Sequence, residues 1–334
     1  MATPVESRRI VIAGASSLLG CDLKSLLEES RFAASDFRLV DEETVAGILT
    51  EAGGEPAVIQ PVEEDSFNKA WIIFFTGSAT FTKTNLELAK RSGARIVDLS
   101  GELAGQPNVA AFLPNLDEET SWSSQNKSAL FAIPSAPAEI IARLSYALHP
   151  LKPNAISAVA FQPVSAIGQQ GIEELESQTS HLLSLESIGQ PVFDTQVAFT
   201  LLDRYGPASA QKLQSSLAVL RNEVRAILPA SWLLPSLQLL HAPIFYGTTV
   251  TLCARLDPST DVAAISKSCV SAGFAIPAEG SVTSNISSAG ESSLQLSPPQ
   301  SDPAALGTWW FWAAADNLRR PASNGVKLAE KFLA

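Results

Sequence analysis

Cysteine is scarce in this chain: Cys21, Cys253 and Cys269 are the whole complement, odd in number and far apart. No C-x-x-C spacing occurs, which excludes a disulfide framework and a thiolate zinc site. Histidine is equally sparse, and His149, His181 and His241 never fall four residues apart. No two imidazoles therefore share a helical face, and the sequence predicts no metal. An excess of positive charge is missing too. The formal net charge is −11, a sign that repels phosphate backbones and excludes a general nucleic-acid binder. No apolar run approaches the roughly 18 residues of a membrane span, and no signal-peptide core precedes the first strand-like segment. The expectation is a cytoplasmic protein with neither membrane nor nucleic acid among its partners.

Apolar residues are plentiful. They make up 46% of the chain against 17% charged residues, with a mean hydropathy of +0.15, which predicts a folded rather than a disordered protein. At 334 residues the chain exceeds the about 100–200 residues of a typical domain and suggests two. Short apolar runs at 9–13, 37–40, 71–75, 94–97 and 130–133 alternate with helical patterns such as Leu23, Leu26 and Leu27. Buried runs separated by helices are the mark of a parallel sheet covered on both faces. The first domain, 1–135, thus reads as an α/β, doubly wound (Rossmann) nucleotide-binding fold. Beyond Pro134 the strands lengthen, at 155–162, 247–256 and 309–315, among helical stretches at 168–185, 211–228 and 261–272. This predicts an α+β second domain over 136–317. A Ser-, Pro- and Gly-rich stretch, 280–303, reads as a surface excursion holding a short strand at 294–296. The closing segment, 318–334, is expected to be a helix, amphipathic over 324–333, whose Val326, Leu328, Ala329 and Phe332 pack back on the first domain.

The first strand ends in Gly14-Ala15-Ser16-Ser17-Leu18-Leu19-Gly20. A glycine-rich turn between strand and helix offers backbone N–H groups and the positive end of a helix dipole to a pyrophosphate. Gly14 and Gly20 suit that role, whereas Ser17 stands where a glycine lets backbone approach phosphate. Two readings fit: a dinucleotide loop, or glycines that merely let strand and helix pack closely. The second strand ends at Asp41-Glu42-Glu43. A carboxylate there hydrogen-bonds a ribose 2′-hydroxyl and repels a 2′-phosphate, favouring NAD over NADP; equally, the three acids form a solvated loop. Thr76 and Gly77 close the third strand.

Several segments, in order and at the right spacing, resemble the aspartate-semialdehyde dehydrogenase family. Residues 14–20 resemble its Gly-Ala-Thr-Gly-x-Val-Gly phosphate loop. Val97-Asp98-Leu99-Ser100 resembles its Ile-Asp-x-Ser, and Phe161-Gln162-Pro163-Val164-Ser165 its Tyr-Gln-x-x-Ser. Ala315-Asp316-Asn317-Leu318-Arg319-Arg320, with Asn324 following, resembles its closing Asp-Asn-Leu-Arg-x-Gly-Ala-Ala-x-Asn. The resemblance implies a two-domain homodimer joined through the second domain. It also implies a hydride-transfer enzyme that interconverts aspartyl phosphate and aspartate semialdehyde with NADP through a thioacyl cysteine. By the same resemblance Ser16, Ser17, Leu18, Leu19, Thr76, Gly77 and Asn317 join Gly14, Gly20 and Asp41 around the cofactor.

The chemistry-bearing positions depart from that pattern. Ile133-Pro134-Ser135-Ala136-Pro137 resembles the Asn-Pro-Asn-Cys segment, so Ala136 falls on the nucleophile. A methyl group attacks nothing, and the neighbouring Ser135 lacks a base. Cys21 and Cys253 lie in other segments and read as small buried residues. The Arg-Val-Pro-x-x-x-Gly-His segment becomes His241-Ala242-Pro243-Ile244-Phe245-Tyr246-Gly247-Thr248. Thr248 therefore stands for the acid/base histidine and His241 for the substrate-binding arginine. Ala104 stands for the phosphate-holding arginine, the partner lysine falls near Val219, and Glu223 matches the acid that follows. Glu43 inverts the charge of the 2′-phosphate grip, and Pro321 replaces a glycine. Gln162 persists, either as a site residue or as a link between strands.

These departures predict a relative silent in the family reaction, with a binding or regulatory role. Two other readings remain. One is an NAD(P)-dependent oxidoreductase that acts on aspartate semialdehyde or another small aldehyde without a thioacyl step; the other is a partner forming a mixed dimer with an active family member.

Overall fold

The computed structural model describes residues 8–116, 128–278 and 280–333. Contacts divide the chain into two compact units, Met1–Pro134 with Pro321–Ala334, and Ser135–Arg320.

In the first unit the chain runs β1 (Arg9–Ala13), α1 (Leu18–Glu28), β2 (Asp36–Asp41), the hairpin β3 (Leu49–Ala52) and β4 (Glu55–Val58), and β5 (Gln60–Pro61). It continues through β6 (Ala70–Phe75), α2 (Ala79–Arg91), β7 (Arg95–Asp98), β8 (Val109–Ala111) and β9 (Leu130–Ala132). The main sheet has the order β5-β2-β1-β6-β7-β9-β8 with every pairing parallel. Side chains of a strand alternate between faces, so β1 feeds two cores at once. Ile10 and Ile12 pack with Leu23 and Leu27 of α1, while Val11 and Ala13 pack with Phe81 and Ala89 of α2. Successive connections leave β1 in opposite directions, toward β2 and toward β6. The crevice beyond the carboxyl ends of β1 and β6 is thus the topological switch point, where doubly wound sheets bind ligands. The β3–β4 hairpin and β8 were not expected; the hairpin strands are partly exposed without an apolar run, and β8 is only three residues long, the start of the short apolar run 109–113.

The second unit contains α3 (Ala136–Leu148), β10 (Ala155–Gln162), α4 (Gln169–Leu183), α5 (Leu213–Ile227), β11 (Ser236–His241) and β12 (Thr248–Arg255). It goes on through α6 (Val262–Ser271), β13 (Phe274–Ala275), β14 (Leu294–Leu296), β15 (Gln300–Ser301) and β16 (Thr308–Ala315). Its mixed sheet has the order β11-β10-β12-β16-β14-β13, with β15 also on β16. Helix α3, which no periodicity in the sequence announces, packs against β10, β12 and β16 and is buried nearly all round. The stretch 280–303 is largely exposed, as expected, and its short strand β14 lies at the expected 294–296, but it is tied to the sheet at several points. Trp312 Nε1 donates to Thr283 O (2.9 Å), Gly290 N donates to Asp316 Oδ2 (2.8 Å), and β14 enters the sheet.

The last helix, α7 (Arg319–Lys331), falls within the expected 318–334 and begins five residues ahead of the amphipathic run that starts at 324. Asp316 Oδ1 accepts from Leu318 N and Arg319 N, both at 2.8 Å, and so satisfies amides that the first turn leaves without a helical partner. Within the first unit Ala322, Val326, Leu328 and Ala329 of this helix join the core of Leu23 and Phe74.

Candidate functional site

The glycine loop lies at the switch point, and its residues are bound to one another. Gly14, at φ +90°, comes so close to the β6 end that a Cβ there would lie 2.1 Å from Gly77 N. Thr76 Oγ1 donates to Gly14 O at 3.0 Å. Ser17 is the N-cap of α1: its hydroxyl donates to Thr76 O (2.8 Å) and accepts from Gly20 N (2.9 Å). The Asp41 carboxylate is buried at the end of β2, where Oδ2 accepts from both Ser16 N (2.8 Å) and Ser16 Oγ (2.6 Å), and Oδ1 from Glu42 N (2.8 Å). Glu42 and Glu43 are exposed. The three acids therefore divide, one built into the loop and two solvated. Leu18 and Leu19 open α1. Cys21, on the same helix, is exposed and not buried as expected, because it lies off the face that carries Leu23 and Leu27 inward.

In the second unit, helix α3 begins at Ala136, the residue expected at the nucleophile position, directly after its N-cap Ser135. A thiol at that place would sit at the positive end of the helix dipole, which lowers its pKa; here a methyl group occupies it, 1% exposed. Ser135 does not use its hydroxyl to cap the helix. Instead Glu223, buried on α5, accepts from Ser135 N (3.0 Å) and Ser135 Oγ (2.5 Å). A carboxylate thus stands beside the helix N-terminus.

Gln162, His241 and Thr248 fall on three adjacent strands at one end of the sheet. Gln162 pairs with His241 in the parallel β10–β11 register, and Phe161 pairs with Thr249 across β12. Thr248 is buried, and its hydroxyl donates to Phe161 O at 3.1 Å. His241 is fully buried between Phe193 and Tyr205, with ring centroids 5.7 and 5.6 Å away, and its Nδ1 lies 3.3 Å from the Tyr205 hydroxyl. Burial pushes its pKa down to about 4, outweighing a contact with the Val197 backbone, so it is neutral at pH 7. Burial likewise raises the Tyr205 phenol, with Gln162 nearby pulling the other way. Gln162 is buried at the end of β10, and its Nε2 has no hydrogen-bond partner among the described residues. Nothing in the sequence pattern marks Phe193 or Tyr205 as the walls around His241; both lie in a loop without periodicity.

The remaining expected positions serve the framework. Asn317 accepts from Gly247 N at 2.8 Å and hydrogen-bonds Ser165, joining two motif segments 152 residues apart. Ala104 lies in the turn after β7. That turn is held by buried Asp98, whose Oδ1 accepts from Ser100 N and Ser100 Oγ and whose Oδ2 accepts from Leu103 N. Burial raises the Asp98 pKa against the pull of those bonds. Among the described residues no group of three or more His, Cys, Asp or Glu side chains is placed to hold a metal ion.

Comparison with known proteins agrees with the motifs. A family model described as semialdehyde dehydrogenase, NAD binding domain, matches residues 9–123, and one described as semialdehyde dehydrogenase, dimerisation domain, matches 146–320. A USG-1 protein homolog of Azotobacter vinelandii is 28% identical, the match covering 97% of each chain. An aspartate-semialdehyde dehydrogenase of Synechocystis sp. is 25% identical over 66% of this chain and 65% of that one. Among solved structures, a probable aspartate-semialdehyde dehydrogenase from Pseudomonas aeruginosa superimposes with a TM-score of 0.84 at 24% identity, covering 98% of this chain and 99% of that chain.

Proposed function

The chain belongs to the aspartate-semialdehyde dehydrogenase family, and from that membership we propose that it is a catalytically silent relative acting as a binding or regulatory protein. The observation that carries this reading is Ala136: the helix that would activate a thiol is in place, and the sulfur is not. Its surroundings argue the same way. Thr248 commits its hydroxyl to a backbone carbonyl, so no proton carrier stands at the acid/base position. His241 is neutral and enclosed by aromatic rings, which removes the cation that would hold a substrate carboxylate. The alternative, NAD(P)-linked oxidation of a small aldehyde without a thioacyl step, meets the same want of a proton carrier. Glu43, exposed where the family sequence carries its 2′-phosphate grip, supports exclusion of NADP.

We further propose a homodimer through the second unit, in keeping with the dimerisation-domain match. The face of its sheet turned away from α3 carries Val159, Thr251 and Trp312 in one cross-strand row, and Cys253 and Trp310 in the next. Trp310 and Trp312 are 43% and 38% exposed, an apolar row suited to a second copy of the chain.

The test is Ala136→Cys, assayed with aspartate semialdehyde, phosphate and NADP or NAD. The replacement is expected to give no measurable turnover, because the new thiol has neither base nor substrate clamps. Substantial turnover would overturn the reading.

A further inference from the structure

The family fold implies a dinucleotide, and the loop that would hold it can be checked donor by donor. Ligand oxygens are held at such a loop by backbone N–H groups that the fold leaves unpaired. Here Gly14 N and Ala15 N donate to Val40 O, and Ser17 N to Gly14 O. Ser16 N donates to the Asp41 carboxylate and Gly20 N to the Ser17 hydroxyl. Only the Leu18 and Leu19 amides remain. The carboxylate that would take the ribose is already largely used within the chain, with two donors filling Oδ2 and one on Oδ1. Charge adds to the mismatch. None of residues 14–20, 41–47 or 76–78 is Lys or Arg, so a pyrophosphate would meet Asp41, Glu42 and Glu43 without a compensating cation. The residues present do not fit a dinucleotide.

We infer that Asp41 is a built-in anion of the glycine loop, filling from within the chain the place that ligand oxygens take, so that the loop is closed to both NAD and NADP. The Ser17 hydroxyl completes the closure. By bridging Thr76 O and Gly20 N it ties the first turn of α1 to the end of β6. Bonds from N–H and O–H groups to a carboxylate are stronger than neutral ones, and a ligand would have to displace them before making its own. This inference is independent of the silent-enzyme reading, since a protein without a nucleophile could still bind a dinucleotide.

The experiment combines calorimetric titration of the purified protein with NAD and NADP and a comparison of the unliganded protein with Asp41→Asn and Ser16→Ala. Expected are no saturable binding at millimolar dinucleotide and a melting temperature lowered by about 4 °C or more in Asp41→Asn, with a smaller drop in Ser16→Ala. Amide exchange at Ser16 should also quicken in Asp41→Asn. Submillimolar binding of either dinucleotide by the unmodified protein would overturn the inference. So would an Asp41→Asn protein as stable as the original and with unchanged exchange at Ser16. Ser16→Ala keeps the carboxylate and its amide bonds, and its smaller loss remains readable if Asp41→Asn fails to fold.

Discussion

Buried between two aromatic rings, His241 can stay in place only as neutral imidazole. Its folded pKa of about 4 lies below the ordinary 6.5. A depressed value of this kind contributes stability that is fully present above the unfolded pKa and is lost as pH falls through the folded one. The window is therefore pH 6.5 down to 4, and the shift corresponds to roughly 3 kcal/mol. Urea unfolding midpoints followed from pH 7 to 4 should fall more steeply for the unmodified protein than for His241→Phe, which lacks the titrating group. Equal slopes would mean that the imidazole is solvated. Single residues also mark where sequence reasoning stopped. Ala136 and Thr248 are informative only because surrounding motifs give their places. The partnership of Asp41 with Ser16, or of Glu223 with Ser135, has no spacing signature, since it joins segments 25 and 88 residues apart.

Helix α3 depends on a buried ion cluster. Glu139 Oε1 accepts from Arg143 Nε (2.7 Å) and Arg320 Nη2 (2.5 Å), while Oε2 accepts from Arg320 Nε (2.8 Å). Burial raises the Glu139 pKa, yet Arg320 and Arg143 outweigh it and hold the carboxyl below its usual range. Arg143 also reaches Ala272 O, and Arg320 reaches Ser292 O, so the cluster ties α3 to the end of α6 and to the stretch before β14. Glu139→Ala strands two guanidinium groups in the interior and should cost roughly 3–5 kcal/mol in urea unfolding. A loss under 1 kcal/mol would show that water reaches the arginines. The same cluster explains why α3 was illegible. A helix buried on every side has no polar stripe, and charges at 139 and 143 resemble surface positions until Arg320 is seen beside them. Strands β1, β6, β10, β12 and β16 were legible because their apolar content is dense and their ends carry turn residues. Strand β11 was not, being a six-residue stretch that reads SLQLLH.

On the scale of the molecule, the framework and the chemistry have separated. Asp98, Asp316, Asn317 and Ser165 hold turns and join distant segments, and these residues belong to the motifs that resemble the family. The positions that the family resemblance assigns to the chemistry carry a methyl group, a committed hydroxyl and an enclosed imidazole. A second copy of the chain is the partner proposed for the open face of the second sheet. Trp310→Arg combined with Trp312→Arg should convert a dimer into a monomer in sedimentation velocity. An unchanged sedimentation coefficient would place the interface elsewhere.

The most direct measurement is steady-state turnover by the unmodified protein, supplied with aspartate semialdehyde, phosphate and NADP, with NAD in parallel. The account predicts a rate equal to that of a heat-killed control with either dinucleotide. A rate well above that control would contradict it.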